Sequence, residues 1–363
     1  MAVKITKPNI NIREKLTELD RPIGIAGEAM IRAESPRDQQ ELIGVRGKNI
    51  LINGDFQISQ RGDYSSATSV SGGNYYLDRW TSVVSTINPT ITHTNVQIPT
   101  GQTVKSMKIT ATAGTGTGTG YSQMRQKIEH FNHLKGQYLT LSCWFRTSKS
   151  DNSSLHLAIY DNGSAAGWIK GDVLPNDGLW HFVTFTMKMS ETINAYPEIT
   201  IQDNSMWQAG EYYEVALMQL ELGKVATPFE HRSFGEELAL CQRYYTVLAA
   251  GANYDEAYSG GSSHVIGTMH KWNTTNTFIF TDLPTQMRNS NDMGLVKSGG
   301  ASDFSFKSAG YTSTGNDLAL DGDSSSRSIR INSAVTNNSW PDGCSGWVRC
   351  NTNSAFVAID CEL

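Results

Sequence analysis

Leu139-Thr-Leu-Ser-Cys-Trp-Phe145 alternates apolar and polar side chains, and Val104-Lys-Ser-Met-Lys-Ile-Thr110 follows the same period of two. That period belongs to a strand with one face on a core. Working outward, it predicts strands at Asn49–Asn53, Tyr76–Val84, Ile91–Ile98, Ser106–Ala111, Tyr138–Thr147, Leu155–Tyr160, His181–Met187, Glu198–Gln202 and Tyr212–Leu222. Asp161-Asn162-Gly163 and Asn176-Asp177-Gly178 supply turns between them. The low-complexity stretch from Ala113 to Gly120 reads as a flexible surface loop. Strands at this spacing, without long intervening helices, argue for a β-sandwich, most simply a jelly roll over residues 47–232.

Phe234-Gly-Glu-Glu-Leu-Ala-Leu-Cys-Gln-Arg-Tyr-Tyr245 breaks the pattern. Leu238, Cys241 and Tyr245 recur at helical spacing, and Glu236 and Glu237 suit a first turn. A linking helix is therefore expected within 233–248, with Leu238 buried as part of a packed coupling. Period-two segments resume at His264–His270, Thr277–Thr281, Asp303–Lys307, Ser328–Asn332, Gly346–Cys350 and Ala355–Cys361. They predict a second, smaller β-sandwich over 249–363. Residues 1–46 differ: Asn11 and Ser35 can cap two short helices, with Pro36 at a first helical position and Gly44 as a stop. Helices this short cannot bury a core alone, so the segment must dock on another chain or on copies of itself.

Charged residues make up 18% of the 363, against about 25% in ordinary soluble domains. Gly, Ser, Thr and Asn take their place, as in an extracellular-type β protein. A net charge of −5 argues against a nucleic-acid partner. Apolar runs are too short to span a bilayer, and Met1-Ala-Val-Lys-Ile-Thr-Lys-Pro8 lacks the apolar core of a secretory signal. Cys143, Cys241, Cys344, Cys350 and Cys361 contain no C-x-x-C pair, which argues against zinc. A Cys344–Cys350 or Cys350–Cys361 disulfide is spaced to form, but reduced, buried thiols are expected in a chain made in a cytoplasm.

Several segments together resemble bacteriophage tail-fibre and receptor-binding structural proteins. Gly27-Glu-Ala-Met-Ile-Arg-Ala-Glu-Ser-Pro36 and Gln40-Glu-Leu-Ile-Gly-Val45 are similar to a short helical repeat near fibre bases. Asn49-Ile-Leu-Ile-Asn-Gly-Asp-Phe-Gln-Ile-Ser-Gln-Arg-Gly62 with Leu77-Asp-Arg-Trp80 resembles the opening of a carbohydrate-binding-module-like jelly roll in phage tail proteins. Val215-Ala-Leu-Met-Gln-Leu-Glu-Leu-Gly223 resembles its end, followed by Cys241-Gln-Arg-Tyr-Tyr245, and Phe356-Val-Ala-Ile-Asp-Cys-Glu-Leu363 resembles a closing strand. The resemblance implies a non-enzymatic virion protein, made in the host cytoplasm and assembled as a homotrimeric tail fibre. It implies attachment to other tail proteins through 1–46 and to a host surface glycan or protein receptor through the distal β domain. A polysaccharide depolymerase tail spike and a purely structural capsid or baseplate decoration are the alternatives. Jelly rolls of this kind often hold a structural calcium beside an acidic residue after the Asn-Gly-x-Phe segment. Here Gln57 follows Phe56, which leaves Asp55 and Glu221 as oxygen donors.

Glycan contact needs exposed aromatic faces beside hydrogen-bonding groups. Trp168 and Trp207 adjoin turn signals and are candidates, as are the distal Tyr254, Tyr258, Trp272 and Tyr311. Trp80 and Trp144 lie within alternating strands and are expected in the core. Arg61-Gly62-Asp63 spells an integrin tripeptide but reads as a turn. No Gly-x-Ser-x-Gly, His-Glu-x-x-His, Walker or dinucleotide fingerprint occurs. No catalytic residue is therefore predicted, although a glycosidase carboxylate pair would leave no local spacing.

Overall fold

A computed structural model describes residues 48–363 except 117, 150–154, 166, 203–204, 251–264, 274–275, 302, 309–310, 316, 334–342 and 353. The expected anchor helices of 1–46 lie outside the described residues, as do Tyr254 and Tyr258.

The first lobe is built from eleven strands: β1 (Thr68–Ser69), β2 (Thr81–Ser85), β3 (Pro89–Gln97), β4 (Thr103–Ala111), β5 (Tyr121–Lys127), β6 (Tyr138–Thr147), β7 (His156–Asp161), β8 (Gly167–Val173), β9 (His181–Lys188), β10 (Glu198–Gln202) and β11 (Tyr212–Leu222). They form a six-stranded sheet, β1-β3-β4-β11-β6-β9, and a five-stranded sheet, β2-β5-β10-β7-β8, with neighbouring strands antiparallel. Leu139, Leu141, Cys143 and Phe145 of β6 are fully buried, as the alternation requires, and meet Ile159 and Ile199 of the five-stranded sheet in one core. Trp80 is fully buried there, its indole N–H donating to the Asn53 carbonyl at 3.0 Å. Trp144 has the opposite parity to that inward set. It lies half-buried on the outer face, in a small cluster with Trp180, Phe229 and Ile98, and not in the core as its strand position suggested.

Asn49–Asn53 is not a strand. Its backbone is spent on side chains: Asn49 N–H donates to Glu230 at 2.7 Å, Ile52 N–H to Gln126 Oε1 at 2.9 Å, and Asn53 N–H to Glu237. Asn53 and Phe56 adopt φ of 57° and 60°, which ends any extended run. This buried turn is the seat of helix α1 (Phe234–Gln242), which opens with a reciprocal capping box between Ser233 and Glu236. Glu237 and Cys241 are buried while Leu238 is only half-buried. The helix therefore docks through a carboxylate that caps the turn and bonds Arg232, and not through the expected leucine. It ends before Tyr244 because Tyr245 already belongs to the next strand.

That strand is β12 (Tyr245–Ala250), and it opens a second lobe with β13 (Val265–Lys271), β14 (Thr277–Asp282), β15 (Gly294–Lys297), β16 (Phe304–Ser308), β17 (Tyr311–Gly315), β18 (Ala319–Leu320), β19 (Ser328–Ser333), β20 (Ser345–Cys350) and β21 (Phe356–Asp360). A seven-stranded sheet, β17-β16-β20-β13-β14-β19-β18, faces a three-stranded one, β12-β21-β15. Ile279, Phe304, Phe306, Val348 and Ile359 fill the core between them. All five cysteines are free thiols, so neither spaced disulfide forms.

The lobes share one compact unit, Asn49–Leu363. Their joint is ionic and aromatic. Glu362 receives Arg61 Nη2 at 3.1 Å, the Arg79 backbone N–H at 3.3 Å and Arg79 Nη1. Arg61 also pairs with Asp360 at 3.0 Å and stacks on Tyr245 at 3.8 Å. The Arg-Gly-Asp tripeptide thus has its arginine inside this joint. Tyr75 Oη and Lys127 Nζ both donate to the Leu363 carbonyl, at 2.9 and 3.1 Å.

Asp78 lies beside the joint, fully buried, accepting from Gln60 N and Nε2. Burial pushes its carboxyl up to about 6, against the pull of Gln60 and Arg61. The folded state therefore binds this proton more tightly than the unfolded chain does. The resulting stability is present below about pH 4 and is lost as pH rises through about 6. Asp78→Asn is expected to gain stability relative to the parent chain across that window and to hold a constant difference above it. Urea unfolding at pH 4, 5, 6 and 7 checks this. A difference that does not grow with pH refutes it.

Candidate functional site

The outer face of the five-stranded sheet gathers side chains from β5, β10, β7 and β8. Cross-strand register sets Glu198 opposite Tyr160 and Tyr160 opposite Trp168, with Arg125 opposite Thr200 and Thr200 opposite Ala158. Thr200 and Ala158 are small and completely covered, which lets the longer side chains close over them. Arg125 reaches across, its guanidinium 4.8 Å from the centroid of the Trp168 ring. Tyr160 meets Trp168 at 5.3 Å and 54°.

Gly167 makes this corner possible. Its φ of +66° suits glycine, and a Cβ there would press to 3.1 Å from the Tyr160 ring. Arg125 is held from the other side by Gln123 Oε1, at 2.7 and 3.0 Å, and by Glu198 Oε2 at 3.3 Å. The Tyr160 hydroxyl, the Trp168 indole N–H, the Lys170 ammonium and Glu198 Oε1 bond no other protein group among the described residues. A half-buried aromatic pair thus stands in a ring of unused donors and one unused acceptor. Such a surface can hold a ligand that is apolar on one face and hydroxylated at its edge.

The six-stranded sheet offers less. Glu214, almost wholly buried on its outer face, is committed to Arg146 at 2.6 Å and to Ser106 Oγ at 2.6 Å. Trp144, Trp180 and Phe229 there pack against the small cluster of Ile98, Ala216 and Leu217.

The other sequence candidates scatter. Trp207 is 2% exposed, with Lys149 Nζ 4.8 Å over its ring, so it is a core residue and not a loop contact. Trp272 is 66% exposed in the turn after β13. Tyr311 begins β17. Sequence reasoning missed Tyr160, Arg125, Gln123 and Glu198 as partners of Trp168.

The two carboxylates of the calcium expectation, Asp55 and Glu221, are both hydrogen-bonded within the protein. Asp55 accepts from the Gln57 amide, and Glu221 is occupied by Thr227 N, Thr227 Oγ1 and Gln219 Nε2 at 2.8, 2.6 and 3.0 Å. No group of three His, Cys, Asp or Glu that could hold a metal occurs among the described residues.

No protein-family model matches the chain. No curated protein matches it either. Among solved structures, the chain is similar to a CBM4 structure at 16% identity and a TM-score of 0.28, over 47% of this chain and 98% of that one. It is also similar to a CBM61 solved with β-1,4-galactotriose, at 13% identity and a TM-score of 0.29, over 49% of this chain and 100% of that one. A third is the enzymatically active domain of tailspike protein 4 of bacteriophage CBA120, at 16% identity and a TM-score of 0.29, over 48% of this chain and 21% of that one.

Proposed function

We propose that this chain is a glycan-binding attachment protein of a phage particle: a homotrimeric tail fibre that engages a host surface glycan without cleaving it. The observation that carries the glycan reading is the Trp168–Tyr160 corner, where aromatic surface adjoins donors and an acceptor that the protein leaves unused. Sugar C–H faces lie on such rings, and their hydroxyls take up such groups. The phage assignment, the trimer and the anchoring of 1–46 to other tail proteins rest on the sequence segments that resemble fibre proteins. On this reading the protein is synthesised in the host cytoplasm and carried in the virion.

Binding of purified host-cell polysaccharide to the full chain tests the reading. Trp168→Ala is expected to weaken binding on the order of tenfold or more, and Tyr160→Phe severalfold, with thermal midpoints as fold controls. Unchanged binding in both variants refutes the site. Release of reducing sugar by the parent protein replaces the fibre reading with a depolymerase.

A further inference from the structure

The outer face of the seven-stranded sheet carries a second, different surface. Its central row takes one side chain from each of five neighbouring strands: Lys307, Trp347, Thr268, Phe280 and Arg330. At about 4.8 Å per strand this row is roughly 19 Å long. Met269, Ile279, Ile331 and Val348 point the other way and are buried, so the row faces solvent by parity. Phe280 is 46% exposed and Trp347 37%.

Charge is unevenly placed along it. Arg330 is neutralised by Asp321 and Asp323. Lys307 and Arg349 lie 5.6 and 5.5 Å from the Trp347 ring centroid and pair with no carboxylate among the described residues. Arg349 Nε is a buried donor without a partner. Gly346 lets β20 press against β16: a Cβ there would sit 1.8 Å from the Lys307 carbonyl oxygen. That close approach brings the lysine beside the indole.

We propose that this row binds a carboxylated glycan, one acidic sugar lying on Trp347 with its carboxylate held by Lys307 and Arg349. A cation fork next to an exposed ring is complementary to a group that is apolar on its face and anionic at its rim. Both cations stand within 5.6 Å of the ring centroid, in reach of a carboxylate borne by a sugar on that ring. This surface belongs to the second lobe and does not depend on the Trp168 corner.

The test uses the full chain with polygalacturonate, alginate and polysialic acid as probes, and a neutral galactan as the contrast. At least one acidic polymer is expected to bind, more weakly as salt rises. Lys307→Met with Arg349→Met is expected to reduce that binding roughly tenfold or more and to remove most of its salt dependence. Trp347→Ala is expected to reduce it similarly, and Arg349→Lys to retain part. Trp168→Ala is expected to leave it intact. Trp347 is exposed and Lys307 and Arg349 are half-buried, and unchanged thermal midpoints serve as the fold control. The inference is overturned if no acidic polymer binds at low salt. It is equally overturned if binding survives both second-lobe changes, or is lost only with Trp168→Ala, a result that would leave the first-lobe reading standing.

Discussion

Replacing Glu362 by alanine is expected to lower the unfolding free energy by about 3–5 kcal/mol, the range for removing one member of a buried ion pair. The reason lies in what remains. Arg79 has a side chain only 2% exposed, and it would keep the Lys127 carbonyl at 2.9 Å and the Tyr244 ring at 3.6 Å but lose its counter-charge. Arg61 would lose one of its two carboxylates as well. The joint between the lobes is therefore expected to fail first, with the core of each lobe still packed. Equilibrium urea unfolding followed by tryptophan fluorescence reads the loss. The double change Arg79→Met with Glu362→Leu separates charge from packing: it removes both ions and is expected to recover much of the stability. A Glu362→Ala cost below about 1 kcal/mol, the worth of an exposed pair, would show that water reaches the joint.

Trp207→Ala is expected to cost a similar amount, about 3–5 kcal/mol, through the cavity left by the largest side chain. Trp207 is held by its backbone as well as by its ring: its N–H donates to Thr115 Oγ1 at 3.0 Å and its carbonyl accepts from Thr115 N–H at 2.9 Å. The loop after β4 is thus tied to the Trp207 backbone, with Gly114 packed against the Trp207 carbonyl. Glycan binding by the surviving folded fraction is expected to match the parent protein. Unaltered stability with lost binding would reverse the assignment and make Trp207 a surface contact.

Trp168 and Trp207 show where a single sequence stops informing. Both adjoin turn residues, and nothing local separates a ring that stands at a sheet corner from one that plugs the end of a sandwich. The separation is tertiary: Trp207 meets the loop near Thr115, roughly ninety residues earlier. Strands with clear alternation were legible to the residue. Tyr138–Thr147, Glu198–Gln202 and Tyr212–Leu222 have the predicted bounds. The first two alternate onto one core, and in the third a bulge between Ala216 and Gln219 shifts the parity so that Tyr213, Val215, Met218 and Leu220 face it. β5, Tyr121-Ser-Gln-Met-Arg-Gln-Lys127, was not legible, since Met124 is its one large aliphatic side chain and its partners supply the rest of the core. Losing β5 concealed Arg125, and with it the neighbours of Trp168. The pairing order β5-β10-β7-β8 draws that face from segments far apart in sequence. Trp347 is a different case: Ser345-Gly-Trp-Val-Arg-Cys350 already sets Trp347 and Arg349 against Val348 and Cys350. What it lacked was Lys307, which only register supplies.

The joint also has a history in time. Arg79 and Glu362 are 283 positions apart, and a ribosome adding about 5–20 residues per second needs roughly 15–60 s to travel between them. Throughout that interval the first lobe can collapse around its own core, yet Arg79 lacks Glu362, and Arg61 has only the buried Asp78 in place of Asp360 and Glu362. A nascent chain arrested between the first lobe and Asp360 would therefore carry Arg79 without its counter-charge and Arg61 without either of its paired carboxylates. A chain that has not been translated through Glu362 lacks these ion pairs, and greater protease sensitivity around Tyr75–Trp80 is the expected readout.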